Sequence, residues 1–377
     1  MSVALSVLDL ATVGEGTTGT EAIRASVGLA AHVERLGYRR IWYAEHHLAD
    51  GVAAATPGVL AAAAAARTST IRVGSGAVAL AATSPVQAAE QFGTIAALHP
   101  GRIDLGVGRA PARPPAGAAG PSWWSRGGAA RARDVDGVRI PAAPVDVERG
   151  EELAALIERR RALLGRSREP ESFARDVETI LALREGTATD GHGGRVTSPP
   201  AEGTDFELWV LASSGGESAE VAAERGLPLA ANYHVSPFSV LDTVTTYRER
   251  FRPGVLARPY VVVSVDALVA ATTAEAERLG SGFADWVLSI RRTAGDAIAY
   301  PRPGDGRAWE DLSEVDQGLV RDRLEARFVG APGAVVARLD ALARVTGADE
   351  LLVTTATHDP ADKYRSFELL ARAWHQR

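Results

Sequence analysis

Short β-rich runs alternate with longer helical runs along this chain of 377 residues, and this alternation constrains the fold more than any other feature. We predict eight strands, near residues 4, 40, 71, 102, 207, 227, 259 and 350. A strand, a helix and a further strand in succession give parallel pairing with a helical crossover. Eight such units in one run predict an α/β fold, a closed (β/α)8 TIM barrel. A doubly wound open sheet is the alternative.

The chain is longer than the ~250 residues that such a barrel needs. The surplus falls in two segments, about 110–170 and about 291–330. The first contains a predicted helix at 151–164 and the pair Trp123-Trp124. Each segment follows the C-terminal end of a strand or the helix after it, and the loops at that end of a barrel build the active site. We therefore expect one barrel domain over residues 1–377, whose insertions cover the site.

The amino-acid composition excludes several classes of function. The chain has no cysteine, which excludes disulfides, thiolate metal sites and a cysteine nucleophile, so redox chemistry would need a bound cofactor. Lys363 is the single lysine among 41 basic residues, a composition typical of a GC-rich genome. The net charge of −6 argues against a nucleic-acid partner. No run predicts a membrane span, and the N-terminus lacks the basic region of a signal peptide, so we expect a cytoplasmic protein.

A carboxylate and two imidazoles follow the second predicted strand. Glu45, His46 and His47 come directly after residues 41–44, which places them at the catalytic end of a barrel. Histidine titrates near neutral pH and suits general acid–base catalysis. Neighbouring residues of an extended chain point to opposite sides, so we predict no metal site here. The alternative is a cluster that only caps or orders the loop.

A loop of small residues follows the fifth predicted strand. Ser213, Ser214, Gly215, Gly216 and Ser218 stand between that strand and a helix. Such a turn exposes backbone N–H groups at a helix N-terminus, where they and the helix dipole bind a phosphate or another anion. An ordinary glycine-rich loop with serine caps is the alternative.

Three further positions attract attention at strand ends. Gly108 and Arg109 end the fourth strand, where a glycine permits close approach of a ligand and an arginine can bind a phosphate or carboxylate. A surface ion pair is the alternative for Arg109. His234 ends the sixth strand and is a second candidate for acid–base catalysis or flavin contact, with a packed loop histidine as the alternative.

Several segments together resemble the bacterial luciferase-like, flavin-dependent monooxygenases. They include Trp-Tyr-Ala-Glu-His-His at 42–47, Ile-Arg-Val-Gly-Ser-Gly at 71–76 and His-Pro-Gly-Arg-Ile-Asp-Leu-Gly-Val-Gly-Arg-Ala-Pro at 99–111, together with the loop at 213–218 and Gly-Ala-Asp-Glu-Leu-Leu-Val-Thr at 347–354. They follow the order of the family and cover most of the chain. The fit is closest to a subgroup from actinobacterial secondary metabolism, a setting that includes antibiotic biosynthesis.

The resemblance implies a barrel that binds FMN at its C-terminal face. Reduced FMN (FMNH2) would come from a separate NAD(P)H-dependent flavin reductase and react with O2 to a C4a-peroxyflavin, which oxygenates a small organic substrate, such as an aromatic or polyketide natural product. His46 matches the residue that has the acid–base role. Gly76 and Ala77 match a non-prolyl cis peptide beneath the flavin ring. Arg109 and the loop 213–218 match the phosphate-binding positions.

The resemblance also has limits that leave alternatives open. The reactive cysteine of luciferase itself corresponds to Gly108, so light emission with an aldehyde is not expected. The serine-glycine loop is one residue longer than is usual in the subgroup. Hydroxylation and Baeyer–Villiger oxidation both stay open, as do a deazaflavin-dependent hydride transferase and a non-catalytic flavin-binding protein. Barrels of this family associate through helices, so we expect a homodimer.

Overall fold

The computed structural model describes residues 3–109, 131–145, 155, 159, 162–164, 173–293 and 296–377. Eight parallel strands close into a ring, because the first strand pairs in parallel with both the second and the last. The closed (β/α)8 barrel is therefore confirmed, and the open sheet is excluded. Going round the ring, the strands are β1 (Ala4–Asp9), β2 (Arg40–Tyr43), β3 (Arg72–Ser75), β5 (Ile103–Gly108), β8 (Glu207–Ala212), β9 (Leu229–Asn232), β10 (Val261–Val269) and β12 (Glu350–Thr354).

In the described residues, four shorter strands lie outside this ring. β4 (Val78–Ala79) continues the course of β3 and pairs with the end of β5, while β11 (Phe328–Gly330) pairs in parallel with the end of β10. β6 (Arg133–Val135) and β7 (Val138–Ile140) form a hairpin within the first insertion.

Helices surround the barrel and fill the second insertion. The α-helices are α1 (Gly19–Arg35), α2 (Pro57–Ala65), α3 (Pro85–Leu98), α4 (Phe173–Glu185), α5 (Glu217–Glu224), α6 (Val240–Arg250), α7 (Thr273–Leu279), α8 (Phe283–Thr293), α9 (Glu314–Glu325), α10 (Pro332–Thr346) and α11 (Pro360–His375). Among the residues that the structure describes, each helix is too short or too polar to span a lipid bilayer.

Local sequence signals explain where these helices begin. Thr18 accepts from the amide of Glu21 and the Glu21 carboxylate accepts from the amide of Thr18, a capping box that starts α1. Ser84 and Gln87 form a second capping box at α3, with Pro85 at the first helical position. Such caps satisfy amides that the first turn leaves unbonded.

The barrel interior is a small apolar layer between two polar ends. Side chains alternate along each strand, and the inward set packs as one cluster of Leu8, Trp42, Ala44, Trp209, Ala230, Val262 and Leu352. The outward set belongs to the larger core between strands and helices, where Lys363 Nζ also lies 2.8 Å from Asp9 Oδ1. This ion pair joins the last helix to the first strand.

A buried ionic network closes the N-terminal end of the barrel. Arg40 Nη1 lies 2.6 Å from Asp104 Oδ2, and its Nε lies 2.8 Å from Glu350 Oε1. Trp42 Nε1 donates to the same Asp104 oxygen at 2.9 Å, and Arg72 binds the other oxygen at 2.6 Å. Each charge has opposite-charge and hydrogen-bond partners, which buried ions require. This end is therefore sealed, and the C-terminal end is the open one.

The structure corrects the predicted elements in three places. The strand expected at 71–80 is interrupted after Ser75, where the Gly76–Ala77 peptide bond is cis. The helix expected at 273–290 is two helices, because Gly280 and Gly282 fall between α7 and α8. The hairpin β6–β7 and the strand β11 were not predicted. The predicted helix at 151–164 and Trp123-Trp124 lie largely or wholly outside the described residues.

Candidate active site

The C-terminal end of the barrel carries the polar residues that the sequence analysis selected. His46 continues the inward-facing series of Trp42 and Ala44. Its backbone N–H donates to the carbonyl of Ala54 at 2.8 Å, which fixes the loop after β2. The side chain borders a cavity of about 590 Å³, whose wall also includes Arg159 and Leu163 of the first insertion. These two residues of the first insertion therefore lie near His46.

His46 is held as a neutral imidazole. His46 lines the cavity and is exposed there. The protein atoms packed around it nevertheless desolvate the ring, which lowers the pKa of His46 to about 4, and the neighbouring His47 acts in the same direction. At neutral pH this side chain is therefore able to accept a proton and is a poor cationic acid.

Glu45 and His47 form a pair on the other side of the chain. His47 Nε2 lies 3.1 Å from Glu45 Oε1, and the backbone N–H of Ala79 donates to Glu45 Oε2 at 3.2 Å. The Glu45 side chain is only 5% exposed. The carboxylate thus ties the loop after β2 to β4, directly after the cis peptide.

His234 lies across the opening from His46. Its Nδ1 is 2.8 Å from Ser264 Oγ, which orients the ring. Burial lowers the pKa of His234 well below its usual value, and the charges of Arg323 and His46 add to this. Both histidines are therefore neutral at neutral pH.

The floor of the opening is made of small residues around the cis peptide. The bond between Gly76 and Ala77 is cis, as the resemblance implies. A Cβ at Gly108 would lie 3.3 Å from the Cβ of Ala77, with nothing else within 4 Å. A Cβ at Gly76 would lie only 2.9 Å from Leu8 Cδ1, so the apolar layer beneath requires glycine there. The glycines therefore leave space open directly above the barrel core.

The serine-glycine loop presents a free helix N-terminus. Gly216 is the N-cap residue of α5, and within the described chain no side chain bonds to the first turn as a cap. A Cβ at Gly215 would lie 2.6 Å from Thr246 Oγ1, so this residue must be small. Ser214 is exposed and Ser218 half-buried. Open amides and hydroxyls at a helix N-terminus are suited to binding an anion.

Arg109 lies at the same helix. Its Nη1 is 2.8 Å from Glu217 Oε2, and both side chains are partly exposed. The surface ion pair that was left open for Arg109 is thus present. It also holds the guanidinium at the first turn of α5, beside the residues that match the phosphate-binding positions.

Two residues that the sequence analysis did not assign support this site. Asn232 Nδ2 donates to Ser213 Oγ at 3.2 Å, and Asn232 Oδ1 accepts from the N–H of Val235 at 3.0 Å. Ser264 holds His234. Both are polar residues at inward positions of otherwise apolar strands, a signal that the alternation of side chains makes visible.

The described part of the first insertion also borders the opening. Tyr233 Oη donates to the carbonyl of Arg139 in β7 at 2.6 Å, and Arg139 Nε lies 2.8 Å from Glu325 Oε2 in α9. The hairpin β6–β7 therefore joins the end of β9 to the second insertion, one residue from His234.

The likeness to known proteins runs along most of the chain. The model of the luciferase-like monooxygenase family matches residues 3–350. The chain belongs to this family. The assignment made from the sequence is confirmed, and this luciferase-like monooxygenase is an enzyme, a flavin-dependent monooxygenase.

Similar proteins match the luciferase-like monooxygenase over nearly its full length. The uncharacterized protein YvbT of Bacillus subtilis is 34% identical over 374 residues, 99% of this chain and 97% of that protein. A luciferase-like monooxygenase of Escherichia coli K12 is 32% identical over 369 residues, 98% of this chain and 96% of that protein. The crystal structure of apo-MsnO8 is 33% identical with a TM-score of 0.74, and the match covers 100% of this chain and 99% of that one.

More distant structures share the barrel. The oxygenating constituent of 3,6-diketocamphane monooxygenase, a type II Baeyer–Villiger enzyme of Pseudomonas putida in complex with FMN, is 17% identical with a TM-score of 0.66 and coverages of 100% and 99%. An F420-dependent secondary alcohol dehydrogenase is 11% identical with a TM-score of 0.59, and 99% of each chain is covered. At such identities the likeness shows the fold alone.

Proposed function

We propose that the open end of this barrel binds reduced FMN and uses it with O2 to oxygenate a small organic substrate. The observation that carries the proposal is the set of residues at the C-terminal ends of the strands. This set comprises two neutral histidines, the small residues Gly76, Ala77 and Gly108, and the uncapped N-terminus of α5. A planar ring system with a phosphate tail fits this set: the ring would lie on the small residues and the phosphate would bind at the start of α5.

The floor fits the ring of a flavin. Because Gly108 has no side chain, only the Cβ of Ala77 would stand near a group added there. Leu10 and Leu211 pack against the apolar layer and are only partly buried, so they add apolar surface to the opening. The bound flavin supplies the reducing equivalents that activate O2, which no side chain of this chain can provide.

The loop before α5 fits the phosphate. The amides at the helix start, the hydroxyls of Ser214 and Ser218 and the guanidinium of Arg109 all donate hydrogen bonds. A phosphate there would compete with the Glu217 carboxylate for Arg109. In this account Ser213 serves indirectly, since Asn232 Nδ2 binds its hydroxyl and Ser239 Oγ binds its carbonyl at 2.7 Å.

The histidines provide proton transfer at the reacting end. His46 faces the cavity as a neutral base, so it can take a proton from the substrate or deliver one after it has been protonated. His234 is oriented by Ser264 and stands on the opposite wall. Glu45 and His47 hold the loop that carries His46. Both hydroxylation and Baeyer–Villiger oxidation need a proton to be moved and water to be excluded.

An anaerobic titration tests the proposal. The protein is titrated with reduced FMN, reduced riboflavin and a reduced deazaflavin, and binding is followed by flavin absorbance and by tryptophan fluorescence. We expect reduced FMN to bind more tightly than riboflavin, because only FMN carries the phosphate. Binding of the deazaflavin alone would support the hydride transferase instead, and binding of neither would contradict both.

We further propose that the flavin is reduced by a separate reductase. The sequence has only the partial glycine pattern Gly106-x-Gly108, and the cavity residues described above are used for FMN and substrate. With NADH, FMN and O2 alone, no NADH should be consumed, and added flavin reductase should restore consumption. NADH consumption without reductase would contradict this partner. A cytoplasmic location and a role in secondary metabolism belong to the same proposal.

A homodimer is the assembly that the surface favours. The outward face of α2 and α3 carries Val59 (67% exposed), Val86 (39%) and Leu98 (70%), and α2 has no charged residue. Exposed apolar side chains of this kind are typical of subunit interfaces. Sedimentation velocity should give a dimer, Val59→Glu should give a monomer, and Val315→Glu on α9 should leave the dimer intact. A monomeric wild-type protein would contradict the assembly.

A further inference from the structure

A cluster of buried charges lies in the second insertion, next to the opening. Arg291 forms an ion pair with Asp322, and Arg323 is the residue that follows Asp322 in the chain. Arg327 Nε lies 2.7 Å from Asp266 Oδ1. We call these five residues the arginine cluster. All of them are at most 7% exposed. Asp322 is bound by Arg291, with Nη2 2.8 Å from Oδ2. Within the cluster, two carboxylates therefore stand against three guanidinium groups.

Arg323 is the guanidinium without a carboxylate of its own. It is 6% exposed, and its Nε is buried without a hydrogen-bond partner. In the described part of the chain, no side chain forms an ion pair with it. Burial and the charge of Arg291 lower the pKa of Arg323 to about 10, so it is still a cation at neutral pH. A buried, unpaired cation is costly, and proteins normally keep one only where something else binds it.

Arg323 stands beside the catalytic wall. It lies on α9, which packs against the turn Pro237–Ser239 that follows β9 and His234. Its charge, after burial, is one of the causes that lower the pKa of His234. Two further buried donors without partners, Trp286 Nε1 and Ser236 Oγ, belong to elements that pack against α9.

We infer that Arg323 binds a carboxylate group of the substrate and so holds the substrate against the His234 side of the opening. A guanidinium matches a carboxylate with two parallel hydrogen bonds, and a carboxylate would give Arg323 the counter-ion that it lacks among the described residues. The buried ring of Phe283 lies 5.7 Å from the Arg323 guanidinium, so the surroundings of this cation are apolar apart from the other charges of the cluster. The inference names the substrate class of the proposed oxygenation and rests on that proposal only for the reaction itself.

The test measures anion binding without any flavin. The melting temperature (Tm) of the protein is recorded against increasing sodium benzoate, with benzamide as a neutral isostere and sodium chloride to match ionic strength. A ligand that binds the folded state raises Tm in a saturable manner. We expect benzoate to raise Tm, and neither benzamide nor chloride to do so. Equal curves for benzoate and chloride would overturn the inference, whether or not the protein binds FMN.

Variants assign the effect to this residue. Arg323→Met should weaken the apparent affinity for benzoate by about tenfold or more, since a charged hydrogen bond is lost. Arg323→Lys keeps the charge but loses the planar guanidinium, so its affinity for benzoate should lie between those of wild type and Arg323→Met. This variant replaces Arg323→Met in the test if the methionine variant does not fold. The control Arg321→Met changes an exposed arginine on the same helix and should respond like wild type. Wild-type benzoate affinity in both Arg323 variants would overturn the inference.

The stability of the unliganded variant gives a second readout. Because Arg323 has no counter-ion of its own, Arg323→Met should have a Tm equal to or above that of wild type. Arg327→Met, which leaves Asp266 without its partner, should lower Tm clearly. A fall in Arg323→Met as large as that in Arg327→Met would show that Arg323 is bound within the fold, and would overturn the inference.

Discussion

At the scale of single residues, the site depends on groups whose charge or size the surroundings have changed. His46 is a base whose pKa is about 4 rather than 6.5. In the unfolded chain a histidine binds its proton near pH 6.5, whereas the folded protein binds this one only near pH 4. Between these values the unfolded state holds more protons, so the stability contributed by neutral His46 is lost as the pH falls from 6.5 to 4.

A substitution at this position should remove that dependence. In His46→Gln, the fall in Tm between pH 7 and pH 4.5 should be smaller than in wild type, because glutamine does not titrate. His192→Gln changes an exposed loop histidine and should show the wild-type fall. Equal falls in wild type and His46→Gln would show that the environment of His46 does not shift its pKa. Thermal unfolding at a series of pH values is the measurement.

Gly108 should act on the flavin and not on the fold. A valine there would project over the cis peptide, into the open space beside Ala77. We expect Gly108→Val to lower the affinity for reduced FMN at least about tenfold, since even one misplaced methyl group costs on the order of 1 kcal/mol in a packed contact. Gly333→Ala, at a helical glycine with nothing near its Cβ, should bind FMN like wild type. Unchanged FMN affinity in Gly108→Val would place the flavin elsewhere.

The ion pair of Arg109 and Glu217 should tune the phosphate end. Arg109→Gln should lower the affinity for reduced FMN by about tenfold, because a charge-assisted hydrogen bond is lost. Glu217→Gln should raise this affinity, because the competing carboxylate is gone. Neither variant should change the affinity for reduced riboflavin, which has no phosphate and is therefore the internal control. Equal effects on both flavins would contradict the assigned orientation. Anaerobic fluorescence titration measures all four affinities.

At the scale of elements, the sequence predicts the repeated strand–helix units but does not predict the short strands. The eight ring strands were predicted because each is an apolar run between helical patterns. The hairpin β6–β7 has a signal that could have found it: Asp136 and Gly137 stand at positive φ (46° and 81°) between alternating residues, as a tight hairpin turn requires. The three-residue strand β11 has no such signal, since only its place beside β10 makes it a strand.

The candidate site divides in the same way. Glu45, His46, His47 and His234 could be chosen because they end predicted strands. The effect of Arg323 on His234 could not be predicted, because the two residues are 89 positions apart in the sequence and only the packing of α9 relates them. Asn232 and Ser264 could be predicted in part. Their inward positions follow from the alternation of side chains along a strand, but their hydrogen bonds depend on the closed ring.

The strands β2, β3, β5 and β12 are joined by the ionic network at the sealed end. Asp104→Asn removes a charge that Arg40 and Arg72 both bind, so it should destabilise the fold by about 3–5 kcal/mol. Urea unfolding should show the lower midpoint. At low temperature, the affinity for reduced FMN should stay at the wild-type value, because the network lies at the opposite end of the barrel. Glu275→Gln, in an exposed pair with Arg278, is the control and should leave the midpoint unchanged. A wild-type midpoint in Asp104→Asn would contradict the role of the network.

At the scale of the whole molecule, the two ends of the barrel have different tasks. The N-terminal end has buried charges that are mutually satisfied, and it provides stability. The C-terminal end leaves glycines, neutral histidines and a free helix N-terminus facing an opening, which stability alone does not require. Both insertions reach that end, one at His46 and Tyr233 and the other through α9. The described parts of both insertions thus lie at the C-terminal end of the barrel.

The reaction of the protein-bound reduced flavin with oxygen tests this account most directly. The protein is mixed with one equivalent of reduced FMN without oxygen and then, in a stopped-flow instrument, with oxygenated buffer. A flavin bound in the proposed site would be shielded from water. We therefore predict that oxidised FMN appears more slowly with wild-type protein than without it, and at the rate of free FMN with Gly108→Val. Oxidation by wild-type protein at the rate of free FMN would contradict the account.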